Sequence, residues 1–484
     1  MAANKGRDGS GKPPRQPAIG AGGKADQSNR GPNKAPGTMK KWLLVLGAGL
    51  GLALLQQQLL LRRPPRLLAI EAIAPGRNSG ALSIRFSRLM DGESLRRGLQ
   101  LKPQVAHQLL GNGNNYTLLI QAKGPIKQPF ELQLKGKDIR GVQFKQSRWL
   151  WELRPTLLAA RPVVGGDQIQ RWHNNSWQPL SPVRGLIQSF LPLGNGRGVA
   201  VVNNLKAMDS QVWVLMLSAQ GTPLREKQIN KNPLIFAALS SDNKGDLLVQ
   251  SSNAKEPGSR VELSRFEAAD LQQPQRLAVE ASGPIQLVPQ GHQLVVPQLD
   301  GLSLQSLPPL PAKKELLPGS RDLSSFCPQP GRALLVRHWP DYRRSLELLE
   351  PGKAPKQIWL GSEALLATAC AGGGERIWLL LLSGIRKPLL ELIELNKHGK
   401  LMHRLPLTGR ELDPGSKLHY DSTRQVLLLL LKRQSSDYQK SLPAQVHLIE
   451  VNNYSMKAIP GAATHTGWLP SRQLQHLNNQ HPRK

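Results

Sequence analysis

One plan recurs six times along this chain, and it constrains the fold more than any other feature. Each unit opens with a strand-length segment, in most cases followed by a glycine-bearing turn. These openings are GLIQSFLPLGNG from Gly185, PLIFAALSSDNKG from Pro233, PIQLVPQG from Pro284, DLSSFCPQPG from Asp322, ALLATACAGGG from Ala364 and KLHYDSTR from Lys417. A continuous apolar strand follows in each: GVAVVNN, DLLVQSS, QLVVPQ, ALLVRHW, RIWLLLLS and QVLLLLLK. A third strand comes next: QVWVLMLSAQG, RVELSRFEAAD, LSLQSLP, SLELLEPG, LLELIELNKHG and QVHLIEVNN. A shorter, more polar fourth closes the unit: REKQI, PQRLAV, KKELLP, KQIWLG, KLMHRLPL and YSMKAIP. The units start 38 to 53 residues apart. A weaker copy precedes them, made of RWLWELR, TLLAARPVV, DQIQRWHNN and SWQPLS.

Four strands at this period are the mark of a β-propeller. A four-stranded sheet with two apolar faces buries both only between two copies of itself, and a closed ring supplies those copies. The second strands are continuous apolar runs because they lie between neighbouring blades. The pattern resembles the seven-bladed propeller class of the YVTN and WD types. Their signature dipeptides are missing, so the resemblance implies architecture alone. The expectation is an all-β chain with a six- to seven-bladed propeller over residues 145–462 and a polar tail over 463–484. A pair of β-sandwiches is the alternative.

Residues 67–142 read as a separate small all-β domain. LLAIEAIAP, GALSIRFS, NNYTLLIQA and PFELQLKG have strand length and strand patterning, with Gly, Asn and Pro turns between them. Within lies ALSIRFSRLMDGESLRRGLQLKP: a strand ending in Phe86 and Ser87, then Met90 and Asp91, a short turn at Ser94 and Leu95, and a strand ending in Pro103. This resembles the bacterial Ig-like domains of surface-layer and other envelope proteins, and more loosely the macroglobulin-type sandwich. The resemblance implies a spacer or adhesion module outside the cytoplasm, without catalysis. Asp91 and Glu93 are expected to be turn residues, not a metal or acid pair.

The stretch KKWLLVLGAGLGLALLQQQLLLRRPPRLLAIEAIAP, from Lys40, admits two readings. As a dinucleotide-binding turn it fails at its third glycine, where Leu52 stands, and no alternation of strands and long helices follows. As a membrane span it fits. Trp42 to Leu61 is twenty residues without a charge, and about 30 Å of helix matches a bilayer core. Lys40, Lys41 and Trp42 mark one interface; Arg62 and Arg63 mark the other. Gln56, Gln57 and Gln58 fit this reading least well. A cleaved signal peptide is the alternative, but no convincing small-x-small site follows. The expected layout is a disordered basic tail (residues 1–39), a transmembrane helix (40–63), and then the folded domains. Basic residues before the span favour a cytoplasmic N-terminus, which places the Ig-like domain and propeller outside the inner membrane.

The net charge is +31, of which residues 1–41 supply +7. Such a surface suits anionic lipid, an acidic polymer or nucleic acid. Aromatics are only 5% and no recognition motif occurs, which disfavours nucleic acid.

Catalytic and metal-binding motifs are missing from the sequence: no H-E-x-x-H, C-x-x-C, calcium loop, P-loop or G-x-S-x-G is present. No cofactor is expected and no small-molecule substrate is identified. His419 lies on a first strand and is a candidate for the channel wall. His476 and His481 sit in the polar tail. Asp242, Asp270 and Asp421 fall at turns or strand ends, where short polar residues serve the turn itself. Cys327 and Cys370 occupy the same place in adjacent repeats, so they are candidates for a disulfide between neighbouring blades. The reading that results is a non-enzymatic, membrane-anchored binding or scaffold protein that docks a protein or an acidic envelope polymer. The alternatives are a propeller hydrolase or lyase with a site at the channel mouth, and a cytoplasm-facing basic adaptor for nucleic acid.

Overall fold

The computed structural model describes residues 38–73, 79–206, 209–218, 220–255, 260–384, 388–413, 416–434, 442–471 and 474–477. Residues 1–37 of the expected tail, and His481, lie outside them. The chain divides into two compact units, residues 1–63 and 64–484.

The first unit contributes one helix, Thr38–Arg62, of 25 residues. Gly47, Gly49 and Gly51 lie inside it with open space around them. They therefore make no strand-to-helix turn, and the dinucleotide reading falls. Side chains of this helix are described from Leu46 to Gln58 only; those of Lys40, Lys41, Trp42 and Arg62 lie outside the described residues. Arg63, just past the helix, is exposed. Among the described residues no helix is long and apolar enough to cross a membrane.

The second unit begins with two four-stranded sheets that share one core. The first runs Leu67–Ile73, Gly80–Phe86, Asn115–Gln121, Ala106–Asn112. The second runs Gln100–Lys102, Phe130–Lys137, Gln143–Trp151, Leu474–His476. Alternate residues of each strand point inward, so Leu82, Ile84 and Phe86 meet Leu132, Leu134 and Trp151 in the core. A short helix, Gly92–Gly98, is capped by Asp91, whose side chain accepts hydrogen bonds from the backbone N–H of Glu93 and Ser94 (3.1 and 3.3 Å). Asp91 is thus a helix cap, and Glu93 pairs with Arg97 one turn on (3.3 Å).

Among the described residues seven four-stranded blades follow, and they form a β-propeller. Blade 1 holds residues 156–179 with 465–469, and blades 2 to 7 hold residues 186–228, 234–277, 286–318, 321–361, 364–406 and 419–462. In blades 2 to 7 the strand order is the chain order, with the first strand innermost. Blade 7 carries an extra short strand, Arg410–Leu412, beside Val426–Arg433. Seven separate apolar cores sit between successive blades and close the ring. The second strands show why their runs are continuous. In Val426–Arg433, Leu427, Leu429 and Leu431 pack toward blade 6, while Leu428 and Leu430 pack toward blade 1. Blade 4 is the thinnest, with an inner strand of only Gln286–Leu287.

Two features depart from the repeat reading. RWLWELR is no first strand of a blade: Trp149 and Trp151 lie in the core between the two N-terminal sheets. The inner strand of blade 1 is instead His465–Leu469, from the segment read as a polar tail, paired antiparallel with Thr156–Val163. Leu474–His476 then adds an edge to the second N-terminal sheet, against Gln143–Trp151. His476 is therefore a strand residue, edge-on to Trp149 at 5.3 Å. The sandwich thus extends past residue 142 to Trp151. The reason is that His465–Leu469 and Leu474–His476 find their sheet partners some three hundred residues earlier in the chain, which no local pattern records.

Candidate functional site

The inner strands of blades 5, 6 and 7 wall a cavity of about 660 Å³ along the propeller's channel. Ser324 and Ser325 come from blade 5, Thr368 from blade 6, and Lys417, His419 and Tyr420 from the start of blade 7. The hydroxyls of Ser324 and Ser325 lie 2.8 and 2.9 Å from that of Thr368. At the mouth, His338 meets Asp322 at 2.8 Å, with Arg344 beside them in the wall. At the inner end, Pro328, Tyr420 and Trp468 also line a second cavity of about 890 Å³. That cavity lies between the turns joining first and second strands and the edge of the first N-terminal sheet at Glu71 and Gly80. The sandwich therefore covers one face of the propeller. The backbone N–H of Ile126 donates to the carbonyl of Thr423 across this junction (2.7 Å).

The channel wall is unusual in its charge. Among the described residues, the side chains of Lys417 and Arg344 have no ion pair and no hydrogen bond. Protein surrounds Lys417 even though its side chain reaches channel water, and this desolvation lowers its pKa. Burial, with the Lys417 charge next, lowers His419 from 6.5 to about 4. His419 is therefore neutral at physiological pH. Burial pushes Tyr420 up to about 12, against the pull of Arg376. A neutral imidazole, a phenol and two cations without counter-ions favour a bound anion.

The other candidates serve the fold. Asp242 Oδ1 accepts from the backbone N–H of Lys244 and Asp246, both at 2.9 Å, and shapes the turn of blade 3. Its Oδ2 is buried without a partner, facing Gly291, where a Cβ would lie 2.6 Å away. Burial, then neighbouring Asp246, raises its pKa. Asp421 accepts from Thr423 N and Oγ1 (2.8 and 2.7 Å) and pairs with Arg424 at 3.3 Å. Asp270 starts the outer strand Asp270–Leu277. Among the described residues no cluster of three His, Cys, Asp or Glu could hold a metal ion.

Cys327 and Cys370 are joined by a disulfide, with Cα atoms 5.5 Å apart. Cys370 lies on the inner strand Ala364–Ala371 and Cys327 follows Arg321–Phe326, so the bond staples blades 5 and 6 beside the channel. Sequence reasoning picked out His419 but passed over Lys417, two residues earlier on the same wall, because a lone lysine before a strand carries no periodic signal.

No protein-family model matches the chain, and no curated protein matches its sequence. Solved propeller structures resemble it. A putative 6-phosphogluconolactonase from Bacteroides fragilis is 12% identical, with 68% of this chain and 99% of that one covered, at a TM-score of 0.41. An oligogalacturonate lyase from Vibrio parahaemolyticus is 10% identical over 69% and 100%, at 0.45. The β-propeller domain of the Trilobed protease from Pyrococcus furiosus is 12% identical over 70% and 98%, at 0.42.

Proposed function

We propose that this chain is a membrane-anchored binding or scaffold protein of the cell envelope. Its helix tethers it, with the basic tail in the cytoplasm. The sandwich serves as an Ig-like spacer, and the propeller docks an acidic polymer or an acidic protein surface. The observation that carries the reading is the channel wall, where Lys417 and Arg344 stand without counter-ions among the described residues. Three features support the setting. The uncharged run Trp42 to Leu61 lies wholly within the helix. The disulfide suits an oxidising compartment. Rigid loop-built faces suit docking.

The test is co-sedimentation of the full-length chain, in detergent, with alginate, poly-glutamate and neutral dextran. Retention on one of the acidic polymers, weakened by salt, and none on dextran is expected. Equal retention on all three, or on none, sinks the reading. A reporter active only outside the cytoplasm, fused after Lys484, tests the setting: an inactive fusion overturns it.

A further inference from the structure

We infer that the channel cavity is a site for a sugar acid, with the ligand carboxylate seated on Lys417 and its ring against the hydroxyl and aromatic wall. This rests on the binding-protein reading above and names the ligand of the same site. Four observations carry it.

The first is size. About 660 Å³ falls within the range of ligand pockets, about 300–1,000 Å³. The second is charge. Lys417 and Arg344 line the cavity without partners, while the one carboxylate of the wall, Asp322, is taken by His338 at 2.8 Å. Among the described residues an entering carboxylate meets two cations without side-chain partners, and one carboxylate that is already hydrogen-bonded. The third is the hydroxyl trio of Ser324, Ser325 and Thr368. Each hydroxyl gives one donor and two acceptor positions. Their mutual bonds leave capacity over, which suits ring hydroxyls that both donate and accept. The fourth is the inner end, which Tyr420 and Trp468 line, aromatic residues of the kind that suit the C–H side of a sugar ring. An amino-acid carboxylate uses the second feature but leaves the third and fourth without a role. Inorganic phosphate can also accept from the hydroxyls, but it leaves the aromatic end without a role.

Calorimetry on the full-length chain with D-glucuronate tests this, against D-glucose, L-glutamate and inorganic phosphate. Glucuronate is expected to bind at least tenfold more tightly than the other three. Lys417→Gln should weaken it at least tenfold. Lys417→Arg should retain most of it, and Lys400→Gln, on the exposed edge of blade 6, all of it. Acetylation of Lys417 in the wild-type chain, mapped by mass spectrometry, should slow when glucuronate is present; this needs no variant to fold. Unchanged affinity in Lys417→Gln overturns the inference. So does glutamate, phosphate or glucose binding as well as glucuronate, or acetylation indifferent to glucuronate. If alginate or poly-glutamate is still retained in those cases, the broader reading stands without this site. If neither polymer is retained, the broader reading has failed first.

Discussion

Reducing the bond between Cys327 and Cys370 tests what holds blades 5 and 6 together. The two residues are 43 apart in sequence. Tying a loop of that length removes freedom from the unfolded chain worth about 4 kcal/mol at 25 °C. Each cysteine is also part of the core: 3% and 4% exposed, among Leu334, Leu348, Ile377 and Leu379. Substitution by alanine would remove that packing as well. Reduction of the wild-type chain isolates the bond, because it leaves all other atoms in place. The assay is hydrogen exchange on the amides of Arg321–Phe326 and Ala364–Ala371, before and after reduction. About 4 kcal/mol corresponds to a loss of protection approaching a thousandfold for openings that separate these strands. The strand Gly198–Asn204, in blade 2, should change far less. A loss below about tenfold near the bond, or an equal loss in blade 2, would refute the reasoning. So would alkylation of both thiols in native, unreduced protein.

Two further outcomes follow from buried charge. His419 is held near 4 against 6.5 when free, so the unfolded chain binds its proton first as pH falls. Its contribution to stability is complete above 6.5 and is lost by pH 4, a swing of about 3 kcal/mol. Asp322, His338, Arg344 and Lys417 share the cavity. His447 and His465 are also lowered, whereas Asp242 and Asp421 are raised and act in the opposite sense. The readout is therefore the difference in urea midpoint between wild type and His419→Gln across that range, and parallel pH profiles would count against it. Arg265 and Asp246 form a buried pair at 2.6 Å. Arg265→Met should destabilise by about 3–5 kcal/mol, since it leaves Asp246 uncompensated next to Asp242. Asp246→Leu combined with Arg265→Met should lose clearly less, and equal losses in urea unfolding would contradict this account.

The ring was legible in the sequence because blade packing writes itself locally. A second strand between two neighbours must be apolar on both faces, and RIWLLLLS and QVLLLLLK are. The sandwich strands were legible for the complementary reason, alternation over one core, as in Gly80–Phe86. What the sequence hid depends on distance along the chain. His465 pairs with Ala160, and HTGWL is short, polar at its start and followed by proline, so nothing local marks it as an inner strand. RWLWELR looked like a blade strand because its tryptophans face a core, but that core is the sandwich. The channel site was half legible. His419 sat at a first-strand position, while Lys417 becomes notable only once three blades are seen to face one cavity without a carboxylate for it.

The C-terminal closure also orders events during synthesis. Blade 1 is translated early, yet its inner strand arrives some three hundred residues later. Until then Thr156–Val163 is an open edge with Leu157 and Ala159 uncovered, and the second N-terminal sheet lacks its last strand. Edges of this kind invite pairing with other chains. A nascent chain of this protein therefore spends most of its elongation as an open horseshoe. At translation rates of about 5–20 residues per second, that interval lasts tens of seconds. Whatever shelters the growing chain must act over that span, and any stop codon before residue 465 would release a chain whose blade 1 lacks its inner strand.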